Sequence, residues 1–179
     1  MNHGPLTKIA DSQAQQVCAR CSLPTSATLL LKDGMTPAEF IRALLDAKQF
    51  VAAIDFLSAA LPAREGVWWS CLTIQHAFGE TLAGKEKDAC RAAAQWVLKP
   101  TDENRVMARA PAESAGAASA AGAAAMAAAI GGTPGAFTSA KAVSNAVKLA
   151  SIKSDPARIA DTQRLFLDLA IGIAEGRYM

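Results

Sequence analysis

A chain of 179 residues, 51% hydrophobic but only 6% aromatic, can bury one sizeable core, built from helices in close contact rather than from large rings. Its formal net charge of +2, without a dense run of Lys or Arg, argues against a nucleic-acid partner, which needs a basic patch or stripe. Residues 1–16 lack the apolar stretch of a secretory signal. The best candidate for a membrane span, residues 115–130, is short and mostly Ala and Gly, where roughly 20 apolar residues are needed. The expectation is a cytoplasmic protein without membrane insertion, its four cysteines reduced.

In chain order, residues 1–11 read as a flexible tail. Residues 12–20 can form a short helix that Pro24 breaks, and residues 26–32 form a short apolar segment in which Leu29-Leu30-Leu31 fits helix or strand equally well. The strongest start signal follows. Thr36 is a good N-cap, Pro37 occupies the first helical position, and Glu39 completes a capping box. Phe40, Ile41, Leu44 and Leu45 then share one face. A second helix from Gln49 carries Phe50, Ile54, Leu57 and Leu61 and ends at Pro62, which cannot donate to the hydrogen-bond ladder.

A third helix is expected over residues 63–82, with Val67, Cys71, Ile74 and Phe78 on one face, and a fourth over 85–98, with Cys90, Ala94 and Val97 as a thin stripe close to Trp96. Thr101 opens a short polar helix expected to end by Pro111. Residues 112–130, almost all Ala, Gly and Ser around Met126, read as one buried central helix, because alanine is the best helix former and small side chains let neighbours approach on several sides. Gly131-Gly132-Thr133-Pro134-Gly135 is a loop. Residues 139–152 form the next helix, with Ala142, Val143, Ala146, Val147 and Ala150 as its apolar face. Asp155 caps a last helix over residues 156–175 that buries Ile159, Phe166, Leu169 and Ile173. No period-two strand pattern of useful length occurs. The fold class is all-α: a single compact bundle of about seven or eight helices over residues 12–179, with the alanine-rich helix at its centre.

Little of the chain carries chemistry. There is no Walker loop, dinucleotide fingerprint or HExxH, and the glycine-rich loop at 131–135 lacks the lysine and the preceding strand of a phosphate cradle. Cys18 and Cys21 form a CxxC without the βαβ context of a redox motif, and Cys71, Cys90 and His76 supply no second pair for zinc. Cys71, five positions before His76, points to a different face of the same helix, and a tertiary partner for His76 such as Cys90 is left open. His76 stands four residues before Glu80, a spacing that allows a surface pair. The runs Lys85 to Asp88 and Asp102/Glu103/Arg105 read as solvated faces. No catalytic residue, cofactor or metal is expected. Trp68 and Trp69 stand apart: adjacent helical positions point about 100 degrees away from each other, so one ring can be buried while the other lies near a groove or interface.

The segments Thr36-Pro37-Ala38-Glu39-Phe40, Phe50-Val51-Ala52-Ala53-Ile54-Asp55-Phe56-Leu57 and Ala60-Leu61-Pro62, with Arg64-Glu65 and Val67-Trp68-Trp69-Ser70-Cys71, resemble a family of small bacterial proteins of unknown function. That family pairs a TP-type helix start with a core similar to DAIxFLAxALPxREAVWWAC, and here Ala53-Ile54-Asp55 replaces the usual Asp-Ala-Ile. The later Gly131-Gly132 and Ala140-Lys141-Ala142-Val143 are similar too, so the resemblance spans about residues 15–175, most specifically at the tryptophans. It implies an accessory role in type VI secretion, beside PAAR-type spikes, effectors and their adaptor chaperones, and it implies no catalytic residues. The expected function is therefore a non-enzymatic adaptor or co-chaperone that binds another protein, with Trp68, Trp69, Arg64 and Glu65 as candidate contact residues. The alternative is an immunity protein that blocks a toxin effector, against which the small net charge argues mildly. Self-association through small-residue surfaces is open.

Overall fold

The computed structural model describes residues 4–132 and 137–178, Phe137 and Thr138 by backbone alone. Its helices are α1 (Ala14–Cys18), α2 (Thr25–Thr28), α3 (Pro37–Asp46), α4 (Phe50–Ala60), α5 (Ala63–Phe78), α6 (Gly84–Leu98), α7 (Asp102–Met107), α8 (Arg109–Ala115), α9 (Ala120–Ile130), α10 (Phe137–Ser154) and α11 (Ile159–Ala174), with a 3-10 turn over Gly79–Thr81. Seven of these reach ten residues, and no strand occurs among the described residues, so the chain is an all-α bundle.

The capping box forms as the sequence predicts. Thr36 Oγ1 accepts from the Glu39 amide at 3.3 Å, and Glu39 Oε2 accepts from the Thr36 amide at 2.8 Å, which draws the Glu39 carboxyl below its ordinary range. Phe40 then meets Phe56 edge to face at 5.0 Å, joining α3 to α4. The end of α3 is less ordinary. The amide of Lys48 bonds the Leu45 carbonyl at 3.0 Å and that of Gln49 bonds Leu44 at 2.8 Å, the paired bonds of a Schellman stop. That stop needs a left-handed residue, and Lys48 supplies it with φ +56°, the single non-glycine described at positive φ. The same motif ends α11, where the left-handed position is Gly176.

Helix α9 is the axis. Nine of its eleven residues are buried, and α5, α6, α8 and α10 all pack on it. Close approach is literal: a Cβ on Gly122 would run into the Gly116 carbonyl, and one on Gly131 would come within 2.6 Å of the Trp96 ring. Helix α4 lies between α3, α10 and α11 and is buried on most sides, with Ala52, Ala53 and Phe56 enclosed beside the expected Ile54, Leu57 and Leu61.

The structure corrects several boundaries. Leu29-Leu30-Leu31 follows the short helix α2 and forms no strand. Helix α5 stops at Phe78 because Gly79 turns to φ +50°, so the expected stretch to 82 ends in a 3-10 turn. Pro111 does not end a helix. It sits in the first turn of α8, where an amide hydrogen would have no intrahelical acceptor. The expected single helix over 112–130 is two, broken at Gly116 (φ +84°), with Ser119 capping α9 through the Gly122 amide at 3.3 Å. Asp155-Pro156 forms a turn in which Asp155 Oδ1 accepts from the Ala157 amide at 3.0 Å, and α11 starts only at Ile159. Thr133-Pro134-Gly135 of the expected loop lies outside the described residues.

Where the sequence suggests a tail over residues 1–11, residues 4–9 run against the end of α11. The Gly4 amide donates to Glu175 Oε1 at 2.6 Å and the Lys8 amide to the Ala174 carbonyl at 2.9 Å, while Leu6 and Ile9 pack on the core.

A left-handed lysine costs about 1 kcal/mol that glycine does not incur. Lys48→Gly should therefore raise the midpoint of thermal unfolding by about 2 °C, read by circular dichroism. An unchanged or lowered midpoint would contradict the Schellman geometry at the end of α3.

Candidate functional site

The tryptophan segment of α5 is a clamp on four other parts of the chain. Trp69 is fully buried, and its indole Nε1 donates to the Phe166 carbonyl in the middle of α11 at 2.8 Å. Trp68, half-buried, donates to the Tyr178 carbonyl at 3.0 Å and so holds the segment after α11. The Tyr178 ring lies over Gly172, where a Cβ would collide with it. Arg64 Nε donates to the Val97 carbonyl at 2.8 Å, covering an orphan acceptor at the end of α6. Glu65 is buried at 8% exposure, with Lys8 Nζ at 4.0 Å. The four residues singled out as contact candidates thus share one helix, but each faces a different piece of this same chain. Folded this way, Trp69 has no surface to offer a partner.

His76 stacks edge to face on Phe166 at 5.9 Å. Glu80 leaves the helix in the 3-10 turn, and no ion pair joins the two. All four cysteines are free. Cys71 and Cys90, left apart in the sequence, meet across α5 and α6: the Cys71 thiol donates to Cys90, which raises Cys71 well above its ordinary range and lowers Cys90. Cys18 and Cys21 stay close, with Cys21 Sγ at 4.0 Å from the Cys18 carbonyl, and burial first, then the Cys18 charge, pushes Cys21 up to about 12. No group of three or more His, Cys, Asp or Glu among the described residues could hold a metal ion.

A polar concavity lies elsewhere, between α4, α10 and the turn after α1. Arg20, Cys21 and Ser22 form one wall of this cleft of about 210 Å³, Lys141, Ser144, Asn145 and Lys148 of α10 form the other, and Asp55 and Ala59 of α4 contribute the floor. Asp55 Oδ1 accepts from Ser144 Oγ and Lys148 Nζ, each at 2.6 Å. Arg20 is held from behind by Asp11 through two bonds of 2.9 and 2.6 Å, a contact that lowers the Asp11 carboxyl. Sequence reasoning overlooked this cleft. The available signal was the spacing of Lys141, Ser144, Asn145 and Lys148, a polar i, i+3, i+4, i+7 stripe complementary to the apolar face of α10.

A helical bundle clamped through one buried and one half-buried tryptophan defines the class. The model of the family of unknown function DUF6931 matches residues 40–174, and the chain belongs to that family. No curated protein and no solved structure matches it. Among the described residues, no helix is long and apolar enough to cross a membrane.

Trp69→Phe removes a buried donor and part of a ring, and should cost about 2 kcal/mol in urea unfolding. Trp68→Phe should cost about half as much, since its bond lies nearer solvent. Equal losses would contradict the difference in burial. Thiol chemistry gives a second check. Near neutral pH, iodoacetamide should alkylate Cys90 ahead of Cys71 and Cys21, resolved by peptide mass spectrometry. Cys71→Ala should slow Cys90, because its thiolate loses a hydrogen-bond donor; an unaltered Cys90 rate would mean that the two thiols do not interact.

Proposed function

We propose that this protein is a non-enzymatic helical adaptor that works by binding another protein. The observation that carries the reading is the surface at the corner of α6 and α7. Leu98, Val106 and Met107 are 77%, 62% and 57% exposed, three large apolar side chains within ten residues of chain on two helices that pack together. Single exposed apolar residues are ordinary, whereas a group of them marks an interaction surface. The clamp residues Trp68, Trp69, Arg64 and Glu65 support the same reading indirectly, by holding a rigid scaffold behind that corner.

The finer proposal places the adaptor in the cytoplasm as a co-chaperone for a type VI effector, its chaperone or a PAAR-type spike. It rests on the resemblance of the tryptophan segment to a family of small bacterial proteins of unknown function and on the secretion role which that resemblance implies. The test is affinity purification of the tagged protein from its own bacterium under secretion-active conditions, beside a Leu98→Lys/Val106→Lys variant. Both positions are exposed, so the variant should keep the thermal midpoint and lose the partner. A variant that retains its partner would remove the corner from the contact surface. A toxin recovered as the one specific partner would replace the adaptor reading with an immunity role.

A further inference from the structure

The cleft between α4, α10 and the turn after α1 has the makings of a ligand site that is independent of the apolar corner. Asp11 neutralises Arg20 from behind the wall of the cleft, whose lining carries the cations Arg20, Lys141 and Lys148 and one carboxylate, Asp55. That carboxylate is already engaged by Ser144 and Lys148, so little acceptor capacity faces the cleft. Donors remain. Lys141 and Asn145 are exposed and make no ion pair or hydrogen bond among the described residues, and Lys148 has two further ammonium protons beyond the one given to Asp55. Cys21, with its pKa raised, adds no negative charge near neutral pH.

A second observation points to the same place. A smaller hollow of about 60 Å³ adjoins the cleft, sharing Arg20, Ala59 and Ala140 with it, and Ser58 borders it. Ser58 is 3% exposed, and its hydroxyl has no hydrogen-bond partner. Buried hydroxyls are nearly always satisfied, so this orphan calls for a polar group from outside the chain, water or ligand, in the hollow that adjoins the cleft.

We propose that this cleft binds an oxyanion, a carboxylate or phosphate group, through Lys141, Lys148 and Asn145 of α10, with Ser22 on the opposite wall. The group belongs either to a small molecule or to an acidic segment of another chain. Arg20 fixes the opposite wall rather than supplying donors, its terminal N–H groups being taken by Asp11 and by the Gln16 and Ala59 carbonyls, and the α10 stripe is preorganised because its alternate face is locked in the core through Val143, Ala146 and Val147.

The experiment is a titration of the full-length, ¹⁵N-labelled protein, followed by amide shifts. Inorganic phosphate and succinate serve as small probes, a hexaglutamate peptide as the chain-borne one, and sodium chloride at matched ionic strength as the control. The expected result is saturable shifts confined to residues 20–22, 55–59 and 140–148, absent with chloride. Saturation by phosphate or succinate would identify a small-molecule site, and saturation by hexaglutamate alone a site for a partner's acidic segment. Lys141→Met should weaken binding about tenfold, as expected for loss of a charged donor, with the remaining spectrum unchanged. Should that variant fold poorly, Asn145→Ala gives the same readout with a smaller loss. Shifts that match the chloride control for all three probes, or wild-type affinity in the folded variant, would overturn the proposal.

Discussion

The fold depends on how closely other helices can approach α9. Alanine and glycine along Ala120–Ile130 leave almost no side-chain volume of their own, so the neighbours supply it. Trp96 lies against Gly131, and the Gly116 carbonyl lies against Gly122. A helix of this kind has no amphipathic stripe and gains little from any single contact. Its stability comes from enclosure on every side, with dispersion summed over many short contacts. The surrounding helices must therefore be held in place by something other than α9 itself.

Helix α5 does much of that holding. It packs on α9 and sends Trp69 across to the α11 backbone, Trp68 to the segment after α11, and Arg64 to the end of α6. Each bond satisfies a carbonyl that the receiving element presents, so one helix sets the position of several. The Lys8 and Gly4 contacts carry the arrangement further, tying the first described residues to Glu65 and to the end of α11. The tryptophan segment is thus the part of the chain that holds the bundle together. The surfaces free for other molecules lie away from them, at the α6–α7 corner and at the cleft beside α10.

The polar cleft and the thiol pair share one property: each is assembled from different helices, the cleft from elements distant in the chain. Asp55 and Lys148 are 93 residues apart, and Arg20 reaches the same cleft from the N-terminal turn. Cys71 and Cys90 sit on consecutive helices and meet because α5 and α6 pack side by side.

What was legible in the sequence was local. The Thr36-Pro37-Glu39 start, the stop at Pro62, the helical spacing of Ile54 with Leu57 and of Val143 with Val147, and the burial of the alanine-rich helix all follow from backbone chemistry and period alone. The break inside the alanine-rich sequence was not legible, because Gly116 and Gly122 both lie there and propensity does not say which one turns to positive φ. Nor could proline content place Pro111, which is tolerated in a first turn and disruptive a turn later. The tryptophan pair was visible as two faces of one helix, but which face is core depends on where α11 lies. The cleft was legible only as half of itself, the α10 stripe. Its other wall and its floor come from α1 and α4, and a helical period carries no information about which distant helix will pack opposite.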